Sequence, residues 1–273
     1  MKRLAFFFLL VCAASVEAQQ RSRVILAVFA HPDDETTVSP VLARYAREGA
    51  KVYLAIATKG EKGTNEHAGI PAGEPLAKVR REEIACACQQ LGIEPPILFE
   101  LNDGELGAIT NPLGQNIQAV ADNVEKLIAK LNPQVVITWG PEGGYGHPDH
   151  RLVSDAVTQA VQSLSGSVKL VYPGLTAAQL ETVNRIWPTG IHWHATDESY
   201  LTVRVPFTPK DQAAYHLGLE CHKSQFTADQ MQKMEKAFDA AREGVVSFRP
   251  WLGNWKANDL FQRGERPNLP KRR

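Results

Sequence analysis

The chain has 273 residues, 44% of them apolar and 22% charged, with no net formal charge. A chain of this length buries a sizeable core, and the composition is that of a soluble globular protein, which excludes disorder of the whole chain. The charge balance gives no electrostatic case for a nucleic-acid partner.

The first twenty residues, MKRLAFFFLLVCAASVEAQQ, differ in kind. Lys2 and Arg3 precede an apolar run from Leu4 to Ala14, and Val16-Glu17-Ala18 offers a small-residue cleavage site. This is the pattern of a secretory signal peptide over 1–18. The run is too short for a membrane anchor of about 20 apolar residues, and Val11 before Cys12 does not suit a lipoprotein site. A secreted or periplasmic protein is expected, with no membrane span after cleavage. Cleavage would leave Cys86, Cys88 and Cys221, an odd number, so at least one thiol has no partner in the chain. No disulfide framework is expected. Cys86 and Cys88 stand two apart on a predicted helix, point to different sides and do not bridge each other; they are read as small core residues.

Apolar runs rich in β-branched residues predict strands over 24–30, 51–58, 97–101, 134–139 and 169–173. Between them, helical apolar spacing covers 41–49, 76–92 and 116–131, the first two closed by Gly49 and Gly92. Apolar strands alternating with helices indicate a mostly parallel sheet covered on both faces, an α/β, Rossmann-like, doubly wound fold. Beyond Pro173 the pattern weakens to a strand over 200–207 and helices over 210–225 and 228–244. No linker or repeat sets these apart, so residues 19–273 are read as a single domain with a C-terminal elaboration. The tail RGERPNLPKRR reads as a frayed, solvated end. Long loops at 59–75 and 102–115, both at strand ends, are the expected walls of a substrate cleft.

The first strand runs directly into His31, Pro32, Asp33, Asp34 and Glu35. Carboxylates this close repel, and each needs a compensating partner if partly desolvated. After the fourth strand comes GPEGGYGHPDH, with His147, Asp149 and His150 again at a strand's carboxyl end and a helix start. In the usual order 3-2-1-4-5, strands one and four are neighbours and both clusters open into the switch-point crevice. A divalent metal would then compensate the charges. His31 and Asp34 can both face the crevice, and a histidine of the second cluster completes three ligands. Imidazole and carboxylate suit zinc, with the fourth position left to water in a catalytic site, although another divalent metal would fit the same set. Neither AHPDDE nor GPEGGYG spells G-x-G-x-x-G, so no dinucleotide site is expected. His67, His192, His194 and His216 have no motif around them, and His192-Trp193-His194 is read as a surface or packing feature.

The chain resembles the PIG-L/LmbE-like superfamily of zinc-dependent deacetylases, which act on N-acetyl groups of amino sugars and related amides. The resemblance rests on AHPDDE (30–35), RREEIACACQQLG (80–92), GYGHPDH (144–150) and ECHKSQF (220–226), and it spans Val24 to Phe226. It implies that His31, Asp34 and His150 hold the metal and that Asp33 is the general base for the attacking water. It further implies a protonated His147 that stabilises the oxyanion or protonates the leaving amine, with Asp149 orienting it. Tyr145 matches a mobile tyrosine that polarises the substrate carbonyl, and Arg80 an arginine that contacts substrate. Arg81 departs from the acidic residue expected beside it. His222 fits the pattern either as a substrate-binding residue or as a helix-stabilising one.

The expected activity is hydrolysis of an N-acyl, chiefly N-acetyl, group from a small-molecule or glycan amino sugar. An esterase or phosphoesterase would share the metal, but a tyrosine and histidine suit a carbonyl oxyanion better than a phosphoryl group. A non-enzymatic sugar-binding protein would have no use for Asp33 and His147.

Overall fold

Strand β1 (Val24–Phe29) is buried along its whole length, as expected of a strand with both faces covered. In this computed structural model residues 23–109, 112–164, 168–253 and 255–262 are described; the predicted signal peptide at 1–18 and the tail from Arg263 onward lie outside the described residues. Alternate residues of β1 serve opposite layers: Ile25, Ala27 and Phe29 join one core cluster, Leu26 and Val28 another. Full burial of side chains of this size stabilises by about 1.5–3 kcal/mol each.

The chain continues through a short 3-10 turn (Asp34–Thr37), α1 (Ser39–Arg47), β2 (Lys51–Thr58), α2 (Glu74–Leu91), β3 (Ile97–Leu101), α3 (Gln115–Leu131) and β4 (Val135–Ile137). A single kinked turn, α4 (Gly143–Gly146), leads into α5 (Pro148–Ser163), β5 (Lys169–Pro173) and α6 (Ala177–Ile186). Then come β6 (Val203–Pro206), α7 (Pro209–Leu219), α8 (Ala228–Arg242) and β7 (Val245–Pro250). The seven strands lie in the order β3-β2-β1-β4-β5-β7-β6. The first five are parallel and follow the predicted 3-2-1-4-5 order; β7 joins β5 and β6 by antiparallel pairing. The protein has a mixed α/β fold with a mostly parallel sheet. Residues of α1 and α2 cover one face and those of α3 and α5 the other, so β1 and β4, side by side, form the switch point.

The C-terminal elaboration differs in detail from the sequence reading. The predicted strand over 200–207 shortens to β6, preceded by a 3-10 turn at Glu198–Tyr200. The helix expected over 210–225 stops at Leu219. Strand β7 and helix α6 went unpredicted. Val183, Tyr215, Leu219, Met231, Met234 and Phe238 pack these helices into a third apolar cluster.

The cysteine reading is corrected here. Cys86 on α2 is bridged to Cys221, 135 residues away, while Cys88 is free and buried. Spacing along one helix rules out an 86–88 bridge, as argued, but is silent on a partner brought in by α7 packing across α2.

Candidate metal centre

Asp34 anchors the first cluster through its backbone neighbours. Its Oδ2 accepts the amides of Ala30 and His31, each at 2.9 Å, and the Trp139 indole N–H at 3.0 Å. Its Oδ1 lies 3.2 Å from His150 Nε2. That nitrogen is also 3.2 Å from His31 Nδ1, and His31 Nδ1 is 3.8 Å from Asp34 Oδ2. The three residues read as ligands thus converge from the segment just past β1, the first residue of the 3-10 turn and the start of α5, all at most 7% exposed. A ring nitrogen of His147 also lies within 4.8 Å of ligand atoms on His31 and His150, and carboxylate oxygens of Asp103 and Asp149 lie as close to His31 and to each other.

The remaining nitrogens of the two facing imidazoles are held from outside. His31 Nε2 donates to Asp103 Oδ1 at 3.1 Å with Asp149 Oδ2 at 3.4 Å, and His150 Nδ1 donates to the Gly143 carbonyl at 3.2 Å. With those protons assigned, His31 Nδ1 and His150 Nε2 point lone pairs at each other beside a carboxylate. Only a cation or a proton between them removes the repulsion. The electrostatics agree: burial opposes charging of His31, yet hydrogen bonds to Asp103 and Asp149 and the Asp34 charge raise its pKa to about 10. Burial would raise Asp34, but the adjacent His150 and His31 hold it well below the usual carboxylate range. The donor set fits a divalent metal, and the outer carboxylate on His31 is the arrangement that orients a metal-bound imidazole.

Asp33 stands beside the cluster in a left-handed conformation, φ 104°, which costs about 1–3 kcal/mol and persists only where its surroundings enforce it. They do so here. The Asp33 amide donates to Glu35 Oε2 at 3.0 Å, and Arg80 Nη2 reaches both Asp33 Oδ2, at 3.1 Å, and the Pro32 carbonyl. Burial pushes the Asp33 carboxyl up to about 6, against the pull of Arg80.

Tyr145 is 36% exposed, its ring 5.2 Å from that of His150 and 6.0 Å from His147. The glycines around it serve packing: a Cβ on Gly144, at φ 67°, would lie 2.9 Å from the Trp139 ring. Trp139 in turn stacks on His150 with ring centroids 4.5 Å apart.

The geometry bears on three of the roles expected of individual residues. Asp149 does not orient His147 through its carboxylate, which faces His31 and accepts the Gly104 amide at 2.7 Å; its backbone N–H donates to His147 Nδ1 at 3.2 Å. His147 was expected to be protonated, whereas burial and the neighbouring His150 and His31 lower its pKa to about 4, which favours the neutral ring. His222 lies in the turn after α7, fully buried, and bonds Glu35 at 2.7 Å rather than facing the cleft. It acts on the site through Glu35, which holds the Asp33 amide.

Asp103, Glu35 and Trp139 were missed. Asp103 sits in the loop after β3, where NDGE follows an apolar strand, and Glu61 fixes it by accepting its amide at 3.1–3.2 Å. An acidic loop at a third strand's carboxyl end was the available signal.

Comparison with known proteins follows the same lines. A family model described as PIG-L, GlcNAc-PI de-N-acetylase, matches residues 26–161. A 1D-myo-inositol 2-acetamido-2-deoxy-alpha-D-glucopyranoside deacetylase of Saccharomonospora viridis is 32% identical over 230 residues, covering 74% of this chain and 85% of the relative. The chain belongs to the PIG-L family. A protein of the same description from Mycobacteroides abscessus is 34% identical over 178 residues, covering 59% of this chain and 63% of the relative. Among solved structures, N,N'-diacetylchitobiose deacetylase from Pyrococcus horikoshii superposes with a TM-score of 0.61 at 18% identity, covering 84% of each chain. The 4-carboxy-2-hydroxymuconate hydratase of Pseudomonas putida gives 0.59 at 13% identity, covering 85% of this chain and 97% of that one. At such identities the likeness is one of fold, and the fold carries both a deacetylase and a hydratase. No helix among the described residues is long and apolar enough to cross a membrane.

Proposed function

We propose that this protein is an exported, divalent-metal-dependent N-deacetylase that hydrolyses the acetamide of an N-acetylated amino sugar or glycoside, with residues 19–273 as one catalytic domain. The observation that carries the reading is the meeting of His31, Asp34 and His150 beside Asp33. Zinc, or a similar divalent ion held by those three residues, would supply Lewis acidity and a lowered water pKa.

The chain's own groups divide the remaining work. Asp33, with a carboxyl near neutral in acidity, takes the proton of the attacking water and has it available for the departing amine. His147 accepts a backbone N–H at Nδ1, so its neutral form carries its proton on Nε2 and serves as a donor to the developing oxyanion. Tyr145, half-open to solvent, is the second donor to that oxygen. Arg80 holds Asp33 and the Pro32 carbonyl, and contact with substrate would require it to turn from them. Amide hydrolysis is favoured over other uses of the fold because a proton acceptor, Asp33, adjoins Asp34 while two neutral hydrogen-bond donors, Tyr145 and His147, lie against the His150 ring.

Relatives described as acting on acetamido sugars support the substrate class. The Cys86–Cys221 bridge supports export, since such bonds persist in oxidising compartments. The decisive experiment incubates zinc-loaded protein with N-acetylglucosamine, its glycosides and N,N'-diacetylchitobiose and measures acetate and free amine. Equal release of both, abolished by a chelator and restored by zinc, is expected. Turnover of phosphate or carboxylic esters with no amide hydrolysis would overturn the reading. Intact mass of exported protein should begin at or near Gln19; retention of Met1 would overturn the export part alone.

A further inference from the structure

The ECHKSQF segment after α7 supplies no group to the proposed reaction, yet it is held more firmly than a surface turn requires. Its backbone closes on itself: the Cys221 and His222 amides donate to the Gly218 and Leu219 carbonyls at 3.1 Å, and the Gln225 and Phe226 amides to that of His222 at 3.0 and 3.1 Å. Cys221, His222 and Ser224 are each at most 8% exposed. Two buried carboxylates from other elements grip the turn. Glu35 bonds His222 Nε2 at 2.7 Å, and Glu83 of α2 accepts the Ser224 amide at 2.6 Å and its hydroxyl at 2.7 Å. Hydrogen bonds to a buried carboxylate are among the stronger ones a fold can use.

Both carboxylates lead to Asp33. Glu35 accepts the Asp33 amide at 3.0 Å. Glu83 stands three positions after Arg80 on α2, on the same helix face, and Arg80 Nη2 donates to Asp33 Oδ2 at 3.1 Å and to the Pro32 carbonyl. A further contact comes from Gln225, whose Nε2 donates to the Gly63 carbonyl at 3.1 Å. The Gly63 amide in turn donates to the Gly60 carbonyl at 3.3 Å, which also accepts Arg80 Nη1 at 2.9 Å. This backbone lies directly on the guanidinium: a Cβ on Gly63 would stand 2.9 Å from Arg80 Nη1, and one on Gly60 would overlap it. The 59–75 loop therefore packs Arg80 in place, and the turn after α7 holds the loop there.

We propose that residues 221–225 are a positioning element for Asp33, with Gln225 and Ser224 as positioning residues. Gln225 keeps the Gly60–Gly63 backbone on Arg80, Ser224 fixes α2 through Glu83, and His222 fixes the Asp33 amide through Glu35. One turn thus controls the aspartate from its backbone side and its side-chain side. Asp33 needs such support, because its left-handed backbone, φ 104°, does not hold itself, and a proton acceptor works only when kept in productive geometry. The inference rests on the reading of Asp33 as general base.

The test joins a double-mutant cycle on the zinc-loaded full chain, with N,N'-diacetylchitobiose as substrate, to amide hydrogen exchange of the chelator-treated chain. Gln225 is only half-buried, so Gln225→Ala should fold; it should lower kcat about tenfold or more with KM little changed. Ser224→Ala keeps the amide bond to Glu83 and should lower kcat less, while Ser224→Thr, which retains the hydroxyl, should recover most of the loss. In Asp33→Asn protein neither alanine variant should change the residual rate by more than about twofold, because the group they position no longer acts as a base. In the metal-free chain both should speed exchange of the peptide spanning Ala30 to Thr36 several-fold. Equal losses in both backgrounds, a raised KM with kcat intact, or unchanged exchange would each overturn the proposal, the second by showing that Arg80 serves the substrate. If the wild type releases no acetate from any N-acetyl sugar, the deacetylase reading fails, and the exchange rates alone decide whether this turn holds Asp33.

Discussion

His31 and His150 stand 119 positions apart in the chain, yet Nδ1 of the first lies 3.2 Å from Nε2 of the second, each ring fixed by a hydrogen bond at its other nitrogen. The parallel pairing of β1 with β4 makes this possible, since it sets the ends of the two strands side by side. Every role assigned around the site follows from which groups reach the space between those nitrogens and which hold the rings from behind.

Asp34 belongs to the first group and Asp33 does not. Asp34→Ala should lower the zinc content per chain, because Oδ1 faces His150. It also strands three buried N–H donors, at about 1–3 kcal/mol for each left unsatisfied, so variants are compared at equal folded fraction. Asp33→Asn keeps shape but cannot accept a proton. Zinc content should hold while the single-turnover rate falls by about 10²–10⁴. The opposite pattern would exchange the two assignments.

Asp103 and Asp149 hold His31 from behind. Asp103→Asn and Asp149→Asn should each reduce metal affinity by about 10–100-fold, measured by competition with a chromophoric chelator, with a smaller change in rate at saturating metal. If Asp149→Asn left metal affinity intact and changed only the rate, the carboxylate would be acting on His147 after all.

The sheet order and the convergence of His31, Asp34 and His150 were legible because they depend on local signals: apolar strands, and chemistry placed at their carboxyl ends. Asp103 was not, since a single acid in a loop acquires its role only when β3 and β2 carry that loop beside His31. His222 was half-legible. Its motif marked it, but nothing local shows that it lies under Glu35 and supports the Asp33 amide. Strand β7 escaped because VVSFRP follows helix α8 directly and ends in Pro250, which sits at its terminus. Its place between β5 and β6 is a long-range pairing.

The bridge between Cys86 and Cys221 closes a loop of 135 residues and ties α2, which carries Arg80, to the residue before His222. Constraint of the unfolded chain by a loop of that size is worth about 4–5 kcal/mol. Cys221→Ser should therefore lower Tm by roughly 10 °C, and reductant should do the same to the wild type. Cys88→Ser should have a far smaller effect. A Tm insensitive to reductant, together with three alkylatable thiols in unreduced mature protein, would show that the bridge does not form.

His216 offers a pH test away from the metal centre. The Asp239 carboxylate, 3.0 Å from Nε2, raises its pKa above 6.5, against the effect of burial, with Glu235 and Glu220 contributing in the same direction. A histidine whose folded pKa is raised binds its proton more tightly when folded. Its contribution is fully present below the unfolded value of about 6.5 and is lost as pH rises through the folded value. Both side chains are about a quarter exposed, so solvent screening keeps the gain within about 1 kcal/mol. The urea midpoints of wild type and His216→Gln should differ most at pH 5.5 and converge by pH 9, with Asp239→Asn reproducing the loss at low pH. A difference that grows with pH would mean that His216 is stabilised in its neutral form and that Asp239 does not act as its counter-charge.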